Sequence, residues 1–157
     1  MKSYTKDELD KLVFTYAEQD GLIFPNEFTH RLDVISSKIL YSLLREIRPI
    51  VCVEFGTSWG GSVLTTIKAL EANNQPYKYI GFEKEPDLRR ETIRNILHWA
   101  SGKLPTKLDF EIYDDITKNL DKLPKGIDFA FIDPDWDMGG VPEGEMGIAQ
   151  WTFENLI

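Results

Sequence analysis

The stretch IVCVEFGTSWGGS, residues 50–62, decides the fold of this chain. Its first six residues are mostly apolar and β-branched, and they lie between Pro49 and Gly56, a pattern typical of a parallel strand buried on both faces. Its second half is rich in glycine, and a helical pattern follows from Ser62. A buried strand, a glycine-rich loop and a helix in this order predict an α/β sheet with a ligand site at the carboxyl end of the strand.

Downstream of this stretch, predicted strands alternate with helices. Apolar periodicity predicts helices at 62–72, 86–100 and 116–123, and strands at 77–82, 108–113 and 127–132. Strands that are joined through helices form right-handed crossovers, so four of them build a parallel sheet. The predicted fold class is therefore α/β, with helices flanking a parallel sheet in residues 50–157.

Upstream, two helices are expected to pack on this core. Thr5 and Glu8 have the spacing of a capping box and predict a helix over about residues 6–19. Pro25 introduces a second apolar periodicity that ends just ahead of the first strand. Residues 1–49 are therefore expected to form N-terminal helices that belong to the same single domain.

The composition limits which binding partners and which cellular compartment are expected. The chain has 157 residues, of which 42% are hydrophobic, and 26 acidic against 18 basic side chains give a net charge of −8. This excess of acidic residues disfavours electrostatic binding to nucleic-acid phosphates, and it disfavours binding to anionic membrane surfaces. With neither a membrane span nor a secretory signal in the sequence, a cytoplasmic protein is expected. The single Cys52 excludes an internal disulfide and a cysteine-rich zinc site.

The loop after the first strand carries Glu54, Gly56, Thr57, Gly60 and Ser62 at a distinctive spacing. A carboxylate within an apolar strand is costly unless it is paired or binds a ligand, which favours a functional role. The spacing is neither the dinucleotide fingerprint Gly-x-Gly-x-x-Gly nor a P-loop. It resembles the first motif of class I S-adenosylmethionine-dependent methyltransferases, in the O-methyltransferase form Glu-x-Gly-Thr-x-x-Gly-x-Ser. The resemblance implies a Rossmann-like sheet in the order 3-2-1-4, and it implies that these five residues bind the cofactor S-adenosylmethionine.

Acidic residues end the next two predicted strands. Glu83 closes the second strand, where the resemblance implies that a carboxylate accepts hydrogen bonds from both ribose hydroxyls. An exposed, charged turn is the alternative interpretation of Glu83. Asp114 and Asp115 close the third strand, where the resemblance implies a contact with the adenine amino group, although Tyr113 occupies the place of the usual glycine. One of the two aspartates is also expected to cap the helix that follows.

Asp133, Asp135 and Asp137 follow the fourth predicted strand. This segment resembles one in metal-dependent O-methyltransferases, in which the first acid after the fourth strand binds a divalent cation. It also differs by one residue from the Asp-Pro-Pro-Trp of amino-group methylases that act on nucleic-acid bases. A calcium loop is excluded, because Met138 and Gly144 stand where glycine and glutamate are required. Asp133 and Asp135 are therefore candidate Mg²⁺ ligands and candidate catalytic residues that deprotonate a hydroxyl acceptor.

The expected function is that of a methyltransferase, or of its cofactor-binding core, acting on a small-molecule acceptor with oxygen as the expected acceptor atom. Two alternatives remain: a Rossmann-like sheet that binds a nucleotide or a partner without turnover, and an NAD-dependent oxidoreductase. The family fold adds three strands after the fourth, whereas only one more helix, at 147–156, is expected here. The apolar fourth strand, IDFAFI, is therefore expected to be an edge of the sheet. Three outcomes remain open: the chain is a fragment, the edge pairs with a second copy in a homo-oligomer, or the C-terminal segment folds over it. Self-association through this edge is the prediction.

Overall fold

Four parallel strands form the centre of the structure. The computed structural model describes residues 4–17, 19–21, 32–99 and 108–133. The strands are β1 (Val51–Phe55), β2 (Tyr77–Phe82), β3 (Leu108–Tyr113) and β4 (Phe129–Ile132), and the α-helices are α1 (Lys6–Leu12), α2 (Val34–Ile47), α3 (Gly61–Ala72) and α4 (Pro86–Trp99). The sheet order is β3-β2-β1-β4, and each neighbouring pair is parallel. The predicted α/β class and strand order are thus confirmed.

The central strand β1 is buried on both faces, as its apolar sequence predicts. On one face, Cys52 belongs to a core cluster formed with residues of α2, α3 and β2. On the other face, Val53 and Phe55 pack with Phe82 and Ile116, and the rings of Phe55 and Phe82 stack with their centroids 5.6 Å apart. Alternate residues of one strand therefore contribute to two separate apolar cores. Packing against both cores holds β1 in place in the sheet, and with it the loop that follows.

The N-terminal segment packs on α2, and α2 packs along α3. After α1 the chain makes a π-helical turn, Val13–Ala17. The Tyr16 hydroxyl donates to Glu46 at 3.1 Å, and the Tyr41 hydroxyl donates to Asp20 at 2.6 Å. The segment is thereby held to the second helix through polar contacts made by largely buried rings.

Three predicted helices differ from the observed elements. The first is α-helical only to Leu12 and continues as the π-helical turn. The second begins at Val34, because the side chain of Asp33 accepts hydrogen bonds from the first-turn amides and caps the helix there. The third, predicted at 116–123, is a pair of 3₁₀ turns, Ile116–Lys118 and Leu120–Lys122. The predicted helix at 147–156 and residues 22–31 lie outside the described residues.

A local hydrogen-bond competition accounts for the 3₁₀ turns. In an α-helix, the backbone N–H of Asn119 would bond the carbonyl of Asp115. Here the Asn119 side-chain amide donates to that carbonyl at 2.8 Å, while its backbone N–H bonds the carbonyl of Ile116 at 3.0 Å. An asparagine that uses its side chain in this way competes with the helix ladder, and periodicity alone does not reveal it.

Two features of the structure concern the expected partners, namely a membrane and a second copy of the chain. Within the described ranges, no helix is both long and apolar enough to cross a membrane. β4 pairs with β1, and in this part of the chain no further strand pairs with β4. Self-association through the β4 edge stays a prediction.

Asn73, just after α3, joins the ends of α2 and α3. Its side-chain amide donates to the carbonyl of Leu44 at 3.0 Å, and its side-chain oxygen accepts from Arg45 at 2.7 Å. The Asn73 backbone carbonyl accepts from Arg48 at 3.0 Å. Because Asn73 is buried, these bonds link the ends of the two helices from within the protein.

We therefore expect Asn73→Ala to lower the free energy of unfolding by about 2 kcal/mol, because it removes two side-chain hydrogen bonds at a buried position. Urea denaturation followed by circular dichroism measures the change. Gln75→Ala is the matched control, since Gln75 donates to the nearby carbonyls of Arg48 and Pro49 from a half-exposed position. An equal loss of unfolding free energy in the two variants would contradict the role given to the buried side chain of Asn73.

Candidate functional site

The carboxyl ends of the four strands bring the predicted site residues to one edge of the sheet. The glycine loop follows β1, Glu83 follows β2, Asp114 and Asp115 follow β3, and Asp133 follows β4. Because all four strands are parallel, these ends lie at the same edge. Asp135 lies outside the described residues, so its predicted catalytic and metal-binding roles stay predictions.

The loop after β1 is bent by three residues with left-handed backbone conformations. Gly56 has φ of 85°, Ser58 of 46° and Gly60 of 92°. A side chain at Gly60 would also meet α4, since an added Cβ would lie 3.1 Å from Cγ2 of Thr92. Glycine is thus required at position 60 by both the backbone angle and the space. The motif spacing seen in the sequence therefore has a physical cause that is independent of any ligand.

The N-terminus of α3 has no side-chain cap. Its N-cap residue is Gly60, which offers no acceptor, and the hydroxyl of Ser62 donates to Glu54 instead of accepting from the helix. The first-turn N–H groups of a helix have no partner within the helix, and they favour an anionic group such as a carboxylate. The start of α3 therefore fits the carboxylate end of an amino-acid-like ligand.

Glu54 lies completely within the protein below this helix start. Its carboxylate accepts a hydrogen bond from Ser62 on one oxygen and from the Tyr79 hydroxyl at 2.7 Å on the other. Burial, together with the smaller effect of the Asp133 and Glu83 charges, raises the pKa of Glu54 to about 7, against the opposing effect of these two hydrogen bonds. The described contacts of Glu54 are internal, and its predicted contact with a cofactor stays a prediction.

Glu83 holds the glycine loop from the neighbouring strand. Its side chain is 1% exposed, and one carboxylate oxygen accepts from the backbone N–H of Ser58 at 2.7 Å. The other oxygen accepts from the N–H of Glu85 at 3.0 Å. An exposed charged turn is therefore not the environment of Glu83. Each carboxylate oxygen can accept a second bond, so ribose hydroxyls remain compatible with this geometry.

Helix α4 also holds this loop, through hydrogen bonds from two residues that the sequence patterns did not single out. Thr92 donates its hydroxyl to the carbonyl of Ser58, and Asn95 donates its side-chain amide to the carbonyl of Trp59 at 3.0 Å. The backbone at Trp59 is therefore held, while its side chain stays 39% exposed. Two polar residues three apart on a partly buried helix were the available signal.

Asp114 and Asp115 take part in the turn after β3. Asp114 accepts from the side chain of Asn119, and the backbone carbonyl of Asp115 accepts from the N–H of Lys118 at 3.1 Å. The Asp115 carboxylate also lies 3.8 Å from the Lys118 ammonium. The aspartates thus stabilise their own turn, and the predicted adenine contact stays a prediction.

Asp133 is positioned by the end of β4. Its backbone N–H donates to the carbonyl of Phe55 at 3.1 Å, which extends the ladder between β4 and β1, and its side chain is exposed. Among the residues that the structure describes, no group of three acidic, histidine or cysteine side chains could hold a metal ion. The Mg²⁺ site predicted at Asp133 and Asp135 stays a prediction.

Comparison with known proteins supports the fold. The sequence matches no protein-family model and no curated protein. The structure is similar to an S-adenosylhomocysteine-bound methyltransferase from Podospora anserina, at a TM-score of 0.62 and 14% identity, with 98% of this chain and 66% of that chain covered. It is also similar to an O-methyltransferase from Streptomyces achromogenes in complex with S-adenosylmethionine, at a TM-score of 0.55 and 18% identity, with 85% and 55% covered.

A third similar structure is an O-methyltransferase from Bacillus cereus in complex with S-adenosylhomocysteine, at a TM-score of 0.55 and 17% identity, with 84% of this chain and 56% of that chain covered. The chain thus spans between about half and two thirds of the length of these proteins. The likeness establishes a Rossmann-like sheet of the kind found in methyltransferases, as the sequence motif predicted.

The raised pKa of Glu54 predicts a pH dependence of stability. The folded protein keeps a proton on Glu54 up to about pH 7, whereas the unfolded chain loses it near 4.5. The contribution of this group is therefore fully present below the unfolded pKa and is lost as the pH rises through the folded one. Relative to Glu54→Gln, we expect the wild-type free energy of unfolding to fall by up to about 3 kcal/mol across this range.

Urea denaturation at several pH values measures this difference. Glu85→Gln serves as the control, because Glu85 is exposed and its removal should leave the wild-type pH profile unchanged. Parallel pH profiles for the wild type and Glu54→Gln would refute the assignment of the raised pKa to Glu54.

Proposed function

We propose that this chain is the cofactor-binding core of an S-adenosylmethionine-dependent methyltransferase that methylates a small molecule at oxygen. One observation carries the proposal: the uncapped start of α3 follows a glycine loop that two buried acids hold at the carboxyl edge of the sheet. The same type of sheet occurs in solved structures with bound S-adenosylmethionine or S-adenosylhomocysteine, which supports this choice of cofactor.

The chain's own residues fit the parts of this cofactor. The first-turn N–H groups of α3 are suited to its carboxylate, because they have no side-chain cap. Glu83 is suited to the ribose hydroxyls, since it lies at the end of β2 with acceptor capacity to spare. Asp114 or Asp115 lies at the end of β3, where an acid would accept from the adenine amino group.

When bound, S-adenosylmethionine supplies an activated methyl group on a sulfonium. The protein's part is then to orient the acceptor in line with that methyl group and to exclude water. A hydroxyl acceptor must also lose its proton. Asp133, exposed at the end of β4, is the described acid that we assign to this task, with Asp135 as its proposed partner in holding Mg²⁺.

Titration calorimetry with S-adenosylhomocysteine tests the cofactor. We expect the wild type to bind, and we expect Glu83→Gln to weaken binding roughly 10- to 100-fold, because charge-assisted hydrogen bonds to the ribose are lost. Glu85→Gln is the matched control: it removes the neighbouring acid from an exposed position and should bind within about twofold of the wild type.

The result that would overturn the proposal is a folded wild-type protein that does not bind S-adenosylhomocysteine. A parallel titration with NAD separates the alternatives. Binding of NAD in place of S-adenosylhomocysteine would favour an oxidoreductase, and binding of neither ligand would favour a sheet that recognises a partner without turnover.

Transfer of a labelled methyl group to a panel of small phenols and alcohols tests the acceptor chemistry. We expect Asp133→Asn to reduce transfer at saturating cofactor by about 100-fold or more, because the acceptor then keeps its proton. Asp109→Asn, an exposed acid near the other end of β3, is the control. A chelator should abolish transfer and Mg²⁺ restore it; transfer that persists with the chelator would refute the metal role.

A further inference from the structure

Tyr79 in β2 is a buried, hydrogen-bonded tyrosine that lies outside the glycine-loop motif. Its side chain is 0% exposed, and its hydroxyl donates to Glu54 at 2.7 Å. In the strand register Tyr79 is opposite Cys52. Cys52 and Glu54 are two residues apart in β1 and share a face of the sheet, so Tyr79 lies on that face as well. Tyr79 and Ser62 therefore bind the two oxygens of one buried carboxylate from a strand and from a helix.

Gly81, opposite Glu54 in β2, makes room for this arrangement. A Cβ at Gly81 would lie 2.7 Å from Cγ2 of Thr57 and 3.2 Å from a ring carbon of Tyr79. The tyrosine ring and the glycine loop thus approach the same point of the strand from two sides. Tyr79 and Thr57 of the loop that follows β1 therefore both lie next to Gly81.

The protonation state of Glu54 determines the direction of its two hydrogen bonds. A carboxylate accepts from both hydroxyls, whereas a neutral carboxyl group carries its own proton, and one of its oxygens becomes a donor. Burial and the nearby acids Glu83 and Asp133 favour the neutral form, and the hydroxyls of Ser62 and Tyr79 favour the charged one. The Cys52 thiol on the same strand stays neutral, because burial raises its pKa.

We propose that Tyr79 is a positioning residue of the cofactor site: its hydroxyl stabilises the carboxylate form of Glu54, which accepts from Ser62 and so orients the first turn of α3. This inference rests on the proposed function, since the ordered helix start matters for the cofactor's carboxylate. Tyr79 acts through Glu54 and touches no reacting atom.

The test measures S-adenosylhomocysteine affinity as a function of pH, with a chelator present, for the wild type and Tyr79→Phe. We expect wild-type affinity to weaken as the pH falls through about 7. In Tyr79→Phe the midpoint should rise by about one pH unit, because the carboxylate loses a stabilising hydrogen bond. Below the midpoint, the two proteins should then differ by about tenfold in affinity.

Tyr77→Phe is the matched control. Tyr77 is buried in the same strand and on the same face, and its hydroxyl has no hydrogen-bond partner among the described residues. Its removal should leave the midpoint where it is in the wild type. A merely structural role for Tyr79 would instead weaken binding by one factor at every pH with an unchanged midpoint, and that result would overturn the inference.

The unfolding of the cofactor-free protein gives a second readout. In Tyr79→Phe, the pH range over which stability falls should extend about one unit higher than in the wild type, since the folded pKa of Glu54 is raised further. Failure of the wild type to bind S-adenosylhomocysteine would refute the proposed function, and this inference with it. Wild-type binding with identical pH midpoints in Tyr79→Phe would refute the inference alone.

Discussion

The buried carboxylate of Glu54 is the interaction on which the site depends. It joins the central strand β1 to the neighbouring strand through Tyr79 and to the start of α3 through Ser62. An isolated charge at this depth would be strongly unfavourable, so the two hydroxyls stabilise the carboxylate form of Glu54. A network of this kind fixes one arrangement of its members, because a displaced donor leaves an unsatisfied buried group.

The rest of the loop is built around that fixed point. Glu83 holds the N–H of Ser58 from β2, and Thr92 and Asn95 hold the next two carbonyls from α4. The loop is therefore tied on both sides by side chains from elements that are themselves packed on the sheet. A backbone held in this way loses little further entropy on binding a ligand, which favours a preformed site over one that orders with the ligand.

Sequence patterns predicted the parts of this site that depend on spacing along the chain. The apolar run with its glycine loop located β1 and the start of α3, and the strand ends located Glu54, Glu83 and Asp133. What these patterns did not predict depends on contacts across the fold. In the sequence, Tyr79 and Thr92 look like ordinary core-facing residues, because their contacts form only when β2 and α4 pack against the loop. The side chain of Asn119 competes with the helical hydrogen bonds after β3, and hydrophobic periodicity does not reveal that effect.

The two buried acids also explain why this site would discriminate among ligands at all. Glu83 holds the loop and Glu54 holds the first turn of α3 through described hydrogen bonds, so their first contribution is to the shape of the site and not to a ligand. The negative charges of Glu83 and Asp133 nevertheless lie at the same strand edge, and they raise the pKa of Glu54. A cation bound at this edge would relieve that repulsion, whereas a purely anionic ligand would add to it. A ligand with its anionic group at the start of α3 and a cationic centre near the acids would satisfy both halves of the site, and the cofactor that we propose has that distribution of charge.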